Sequence, residues 1–280
     1  MNKALMSPET KLRLLTSTEE KLNDITNDVD NVRKLIKKAE VIDTFLKKEN
    51  ITASFNNLLN LLEFRLFIGI LTLDLTSAVR IYLNAKFQYE GVFSARQIVV
   101  IINEGYKKIY NFVNPSDNGV AKLKNRNNSF WVKEIGGIVD NDLPHLNVHY
   151  NNITQKLDDY FNVNFSSLKE LRDLSIHYGK TAKDKSPVKV YDMIVKMDIE
   201  ETFLKMIPFV EILNEMFLFT HILVAEYQKK TDNQQEKQKN LLSGMIEQLI
   251  NLRNDKNASI INGHIEKLQQ IQSMFGTNID

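Results

Sequence analysis

Along most of the chain, apolar residues return at intervals of three and four, the period of an α-helix, and no stretch shows the sustained alternation of a strand. This pattern predicts an all-α protein. Ser7, Pro8 and Glu9 mark a helix start: a capping hydroxyl, a proline in the first turn and an acid near the positive end of the dipole. Beyond it Leu15, Leu22, Val29 and Ile36 fall seven apart, with Ile25 and Val32 between them. This narrow seam over residues 12 to 48 requires a partner helix. From Thr52 to Lys86 the apolar positions crowd more than one face, as in a buried central helix, and Phe87 to Phe112 reads as an amphipathic one.

Residues 114 to 130, NPSDNGVAKLKNRNNSF, break the pattern and predict an exposed connection. Helical spacing resumes near Trp131 and again after Pro144. Ser166 or Ser167 is placed to cap a helix carrying Arg172 and His177, and Gly179 to end it. A lysine-rich loop, GKTAKDKSP, follows. Asp198 and Glu201 then have capping-box spacing before a helix that runs to about Tyr227, with Pro208 predicting a kink. The wholly polar stretch 228 to 240 reads as a solvated helix or a hinge, leading to apolar positions at Leu241, Ile246, Ile250, Ile261, Ile265 and Leu268. The expected division is an N-terminal amphipathic helix over 1–50, a helical domain over 51–227 and a C-terminal helical extension over 228–280.

Composition narrows the chemistry. The 280 residues, 43% of them hydrophobic, can bury a sizeable core. With no cysteine, thiolate metal sites and thiol nucleophiles are excluded, and five histidines are the side chains left to titrate near neutrality. A formal charge of +1 leaves any anion-binding surface to a local patch. The N-terminus lacks the apolar core of a signal peptide, and the apolar run Leu66 to Leu73 is bounded by Arg65 and Asp74, short of the roughly 20 residues of a membrane span. The expectation is a soluble cytoplasmic protein without a membrane partner.

One stretch resists explanation by packing: LRDLSIHYGK, residues 171 to 180. Five positions along a regular helix turn the chain by about 500°, so Arg172 and His177 point roughly 140° apart. They converge only if the helix ends near His177 or if a second copy of the surface supplies half of a site. A histidine in a last helical turn is favoured in its protonated form by the dipole, which suits an acid or a phosphate binder.

RDLSIH, an arginine with a polar residue directly after it and a histidine four positions further on, late in an all-helical domain, resembles the motif of the HEPN superfamily of prokaryotic toxins and defence ribonucleases. Residues 93 to 112 and 177 to 209 are also similar to abortive-infection-type members. The likeness covers about residues 52 to 226. It implies an HEPN-like helical bundle with the N-terminal helix and C-terminal extension added to it, acting as a homodimer that cleaves RNA without a metal or other cofactor. The resemblance makes Arg172 the phosphate clamp, His177 the proton carrier and Asp173 the polar neighbour that orients one of them. It also implies an antitoxin or defence-system partner. Where HEPN toxins controlled by a nucleotidyltransferase carry a tyrosine two residues after the histidine, this chain has Gly179, with Tyr178 one earlier, so control by modifying that tyrosine is not expected.

Around the motif, Lys180, Lys183, Lys185 and Lys189, and in the earlier loop Lys122, Lys124 and Arg126, either hold RNA phosphates or solvate their loops. Trp131 and Tyr178 are candidates to stack on a base or to pack. Glu104 and Lys108 have ion-pair spacing, and Arg96 and Glu104 reach the motif only if their helix packs beside it. His145 and His149 lie four apart without the acid of an HExxH motif. The alternative reading of the whole chain is a non-catalytic helical interaction protein or a nucleic-acid-binding regulator.

Overall fold

The computed structural model describes residues 7–48, 56–110, 129–165, 197–254 and 257–274, with residues 168, 172, 188, 191, 192 and 195 in addition. Among the described residues there is no strand. Helix α1 spans Pro8–Lys48, α2 Asn56–Asn84 and α3 Gln88–Tyr110. A wide π-helical stretch, Phe130–Gly136, leads into α4, Gly137–Asp142. A 3-10 turn, Pro144–Leu146, precedes α5, Asn147–Tyr160, and α5 runs on into a second π stretch, Phe161–Phe165. Helix α6 spans Ile199–Leu252 and α7 Ala258–Met274. The chain divides into two compact units, Met1–Ile222 and Leu223–Asp280.

In the first unit α1 opens as its sequence requires, with the Ser7 hydroxyl accepting the Thr10 N–H at 3.1 Å. Its seam buries Ile25, Val32 and Ile36, along with Ala39, and α2 is the partner helix. The two backbones come close. A Cβ on Gly69 of α2 would lie 2.6 Å from Val29 Cγ2, so only glycine leaves room for that valine. Helix α2 is apolar on several sides because it is covered on several sides, with Leu61, Leu62, Ile68 and Leu75 almost wholly enclosed.

The main polar intrusion into α2 is Arg65, whose side chain is 6% exposed. Its Nη2 donates to the Asp28 carboxylate of α1, its Nη1 donates to the Phe217 carbonyl of α6 at 3.2 Å, and its guanidinium lies 4.5 Å from the centre of the Phe217 ring. One side chain thus binds three helices.

Helix α3 returns along α2 after a turn closed by Glu90, whose carboxylate accepts the N–H groups of Lys86 at 2.6 Å and Phe87 at 3.0 Å. Those bonds draw the Glu90 carboxyl below its ordinary pKa. A second close approach fixes this hairpin, because a Cβ on Gly105 would stand 2.6 Å from the Leu71 methyls. Below it, Trp131 is fully buried, donates to Thr154 Oγ1 at 2.9 Å and stacks on Tyr150 with ring centres 5.0 Å apart. Tyr106 donates to the Leu157 carbonyl at 2.6 Å and Tyr160 to the Lys205 carbonyl at 3.1 Å, and burial pushes the Tyr160 hydroxyl well above the usual tyrosine pKa. These bonds join α3, α5 and α6.

Helix α6 begins with the predicted cap, Asp198 accepting the Glu201 N–H at 3.0 Å, and continues through Pro208. The polar residues 228 to 240 are helical, the first of the two alternatives. In the second unit α6 and α7 form a hairpin around a turn bracketed by Asn254 and Asn257, and the Gln272 amide donates to Ser243 Oγ at 2.6 Å. The sequence run 66–73 alone understates the apolar length of these helices. Both α2 and the Glu201–Lys230 part of α6 are long and apolar enough to cross a membrane, a test that the core helices of a bundle also pass.

The Arg65 junction yields a stability test. Asp28→Ala leaves a buried guanidinium without its carboxylate and is expected to destabilise the first unit by about 3 kcal/mol. Arg65→Met removes the charge together with its desolvation cost and should cost less. Urea unfolding of both variants checks the order, and a smaller loss for Asp28→Ala would refute it.

Candidate functional site

The site is built on the edge of α3. Asn103, Glu104 and Lys107 lie on one turn of that helix, the first turned inward and the other two toward its rim. Asn103 is fully buried, and its amide donates to the Val99 carbonyl at 2.9 Å and to the Leu168 carbonyl at 3.2 Å. Leu168 is itself buried, so this contact ties the segment bearing the motif arginine to α3. Leu168 and Arg172 are both helical and stand four apart, which brings them to the same side of a helical turn.

Arg172 Nη2 donates to Glu104 Oε1 at 2.6 Å, and the same oxygen accepts from Lys107 Nζ at 3.1 Å. One carboxylate therefore serves two cations. The Arg172 and Lys107 side chains are 16% and 14% exposed, whereas that of Glu104 is 49% exposed. Partial burial by itself would raise the Glu104 carboxyl, but the hydrogen bonds from Lys107 and Arg172 outweigh it and hold the group below its ordinary pKa. Glu104 is an anion at neutral pH.

The sequence places Glu104 beside the motif only if α3 packs against the motif segment, and at Arg172 the two meet. The partner expected for Glu104 is corrected: Lys108 lies 5.4 Å from the centre of the Phe67 ring, and Lys107 and Arg172 hold the acid instead. Arg96 is buried on the same helix. Trp131, a candidate for base stacking, is enclosed in the core and cannot meet a nucleic acid. His145 sits in the 3-10 turn and His149 is exposed on α5, and no group of three or more potential metal ligands occurs among the described residues. Asp173, His177, Tyr178, Lys180, Lys183 and Lys185 lie outside the described residues, as do Lys189, Gly179, the candidate caps Ser166 and Ser167, and Lys122, Lys124 and Arg126.

Two contributors were not anticipated from sequence. Lys107 was hidden by the more familiar four-residue spacing of Lys108. Asn103 did carry a signal, being an amide on a helix face otherwise formed by Val99, Ile102 and Tyr106. Comparison with family models, characterised proteins and solved structures yields no match for the chain.

The tether is testable. Asn103→Ala deletes both amide hydrogen bonds, which should cost about 1–3 kcal/mol locally and speed hydrogen exchange around residues 168–172. Exchange there at the unaltered rate would show that something other than Asn103 fixes Arg172 to α3.

Proposed function

We propose that the protein is an endoribonuclease of the HEPN type, of toxin or antiphage-defence character, cleaving RNA without a metal at a composite site in a homodimer. The observation that supports this reading is the placement of the motif arginine. Arg172 is mostly covered, held at 2.6 Å to Glu104, and tethered through Leu168 to a core helix. A guanidinium whose side chain is covered and anchored beside a core helix is in place to stabilise charge on a phosphate in the transition state.

In this mechanism His177 of one protomer takes the proton from the ribose 2′-hydroxyl as that oxygen attacks the adjacent phosphorus. The P–O5′ bond breaks, and His177 of the partner subunit protonates the departing oxygen. The products are a 2′,3′-cyclic phosphate and a 5′-hydroxyl. Arg172 neutralises the equatorial oxygens, Asp173 orients the arginine or the histidine, and Tyr178, Lys180, Lys183 and Lys185 hold the flanking RNA. Two copies are needed because one base and one acid act near neutral pH and each chain brings one motif histidine. The reading places the protein in the cytoplasm with an antitoxin or defence-system protein as its controller.

A second reading draws on the C-terminal unit. Leu241, Met245, Ile250, Leu252 and Ile260 are exposed there, which favours a non-catalytic protein that uses this helical hairpin to bind others.

The two readings part on one experiment. Arg172→Ala and His177→Ala should each lower RNA cleavage by about 10²- to 10⁴-fold, with unchanged helicity and with wild-type cleavage surviving EDTA and leaving cyclic phosphate ends. Cleavage by both variants at the wild-type rate, or no cleavage by the wild type, overturns the ribonuclease assignment.

A further inference from the structure

In the triad of Arg172, Glu104 and Lys107 the two cations are the covered members and the acid is the exposed one. Of the three side chains, Glu104 is the one most open to solvent. That carboxylate presents one oxygen to both donors, at 2.6 Å and 3.1 Å, which is how a single phosphate oxygen engages a guanidinium and an ammonium together.

We propose that Arg172 and Lys107 form a two-cation phosphate site, that Glu104 is its resident intramolecular occupant, and that a phosphodiester of bound RNA displaces it. The proposal rests on the ribonuclease reading for the identity of the phosphate, and it adds Lys107 as a ligand and Glu104 as a competitor. The exchange is physically balanced. With Glu104 in place the triad carries a net charge of +1, so the two cations are stored side by side without full mutual repulsion. When a phosphate oxygen takes the bridging position, Glu104 swings into water on a flexible side chain already half exposed, at little desolvation cost. An acid in this place also selects among anions. A ligand must outbid a tethered carboxylate, so one that engages the site at a single point is disfavoured against a polynucleotide held at several phosphates.

This arrangement makes a prediction opposite to that for a residue which merely positions Arg172. Glu104→Gln keeps the size and the acceptor oxygen and removes the charge. The full-length protein and its variants are titrated with a fluorescent 2′-O-methyl RNA oligonucleotide, which lacks the attacking hydroxyl, and binding is read by anisotropy across a salt series. Glu104→Gln should bind roughly fivefold to tenfold tighter, and its salt dependence should steepen by up to about 0.7, the increment for one more phosphate neutralised on a single strand. Adding Lys107→Met to that variant should reverse the gain. Competition with inorganic phosphate separates the sources of the ligand: weak competition points to polynucleotide phosphates, and efficient competition to a site for free phosphate.

Unchanged or weaker binding by Glu104→Gln, with thermal melting like the wild type, overturns the proposal. A Lys107→Met change without effect in the Glu104→Gln background removes Lys107 from the site and overturns it as well. Should Glu104→Gln melt early, Glu104→Ser in its place gives the same two readings. Because binding and not cleavage is measured, tighter binding by a protein that never cuts RNA would sustain this site while refuting the ribonuclease reading.

Discussion

A guanidinium in the middle of an apolar helix has few places to go, and the position of Arg65 constrains the first unit more than any single apolar contact. A seam of leucines and valines with a seven-residue repeat lets α1 slide along α2 by a heptad and bury nearly the same area. The Asp28 carboxylate does not slide. By pairing with it, donating to the Phe217 carbonyl and lying against the Phe217 ring, Arg65 fixes α1 and α6 axially along α2. In the same register Val29 meets Gly69, the position where a larger residue would collide. The ion pair thus acts through specificity: hydrophobic burial supplies the cohesion, and the charge selects one arrangement among several of similar area.

The same economy governs the neighbourhood of Arg172. Gly105 lets α3 settle onto Leu71 of α2, and on the turn containing that glycine Asn103 and Glu104 reach toward a segment more than sixty residues further along the chain. The arginine's location is therefore tied to the packing of α2 and α3. Core substitutions that tilt α3 would move Arg172 without touching it. Under the proposed dimeric ribonuclease function such displacement would appear in two copies, which would make catalysis more sensitive than stability to changes in that hairpin.

Much of this fold could be read from the sequence because its signals are local. Ser7 and Asp198 cap their helices with their own hydroxyl or carboxylate, and the α1 seam is a simple spacing rule. What sequence missed was set by partners distant along the chain. Glu104 has a lysine at four residues, the conventional partner, but three residues and a tertiary arginine win because Lys108 leans over Phe67. Glu90 closes the α2–α3 turn without the serine or threonine that usually marks a helix start, so its part was invisible. Trp131 stands beside a polar connection and looks available to a ligand, yet Thr154, on another helix, satisfies its indole nitrogen. Of the candidate site, the motif gave Arg172 and the possibility of Glu104, while Lys107 and Asn103 emerged from packing.

The enclosure of Trp131 has a practical side. It is the single tryptophan of the chain, its indole is sealed from water, and it belongs to the first compact unit. Its emission is therefore a native optical label for the core of the first unit: blue-shifted while Tyr150, Phe64 and Phe219 surround the ring, and red-shifted as soon as solvent enters there. No introduced fluorophore is required to follow that unit. The C-terminal hairpin contributes no indole signal, so its unfolding is seen only by a probe of helicity. Disagreement between the two spectroscopies would then report directly on whether the two units melt together or apart.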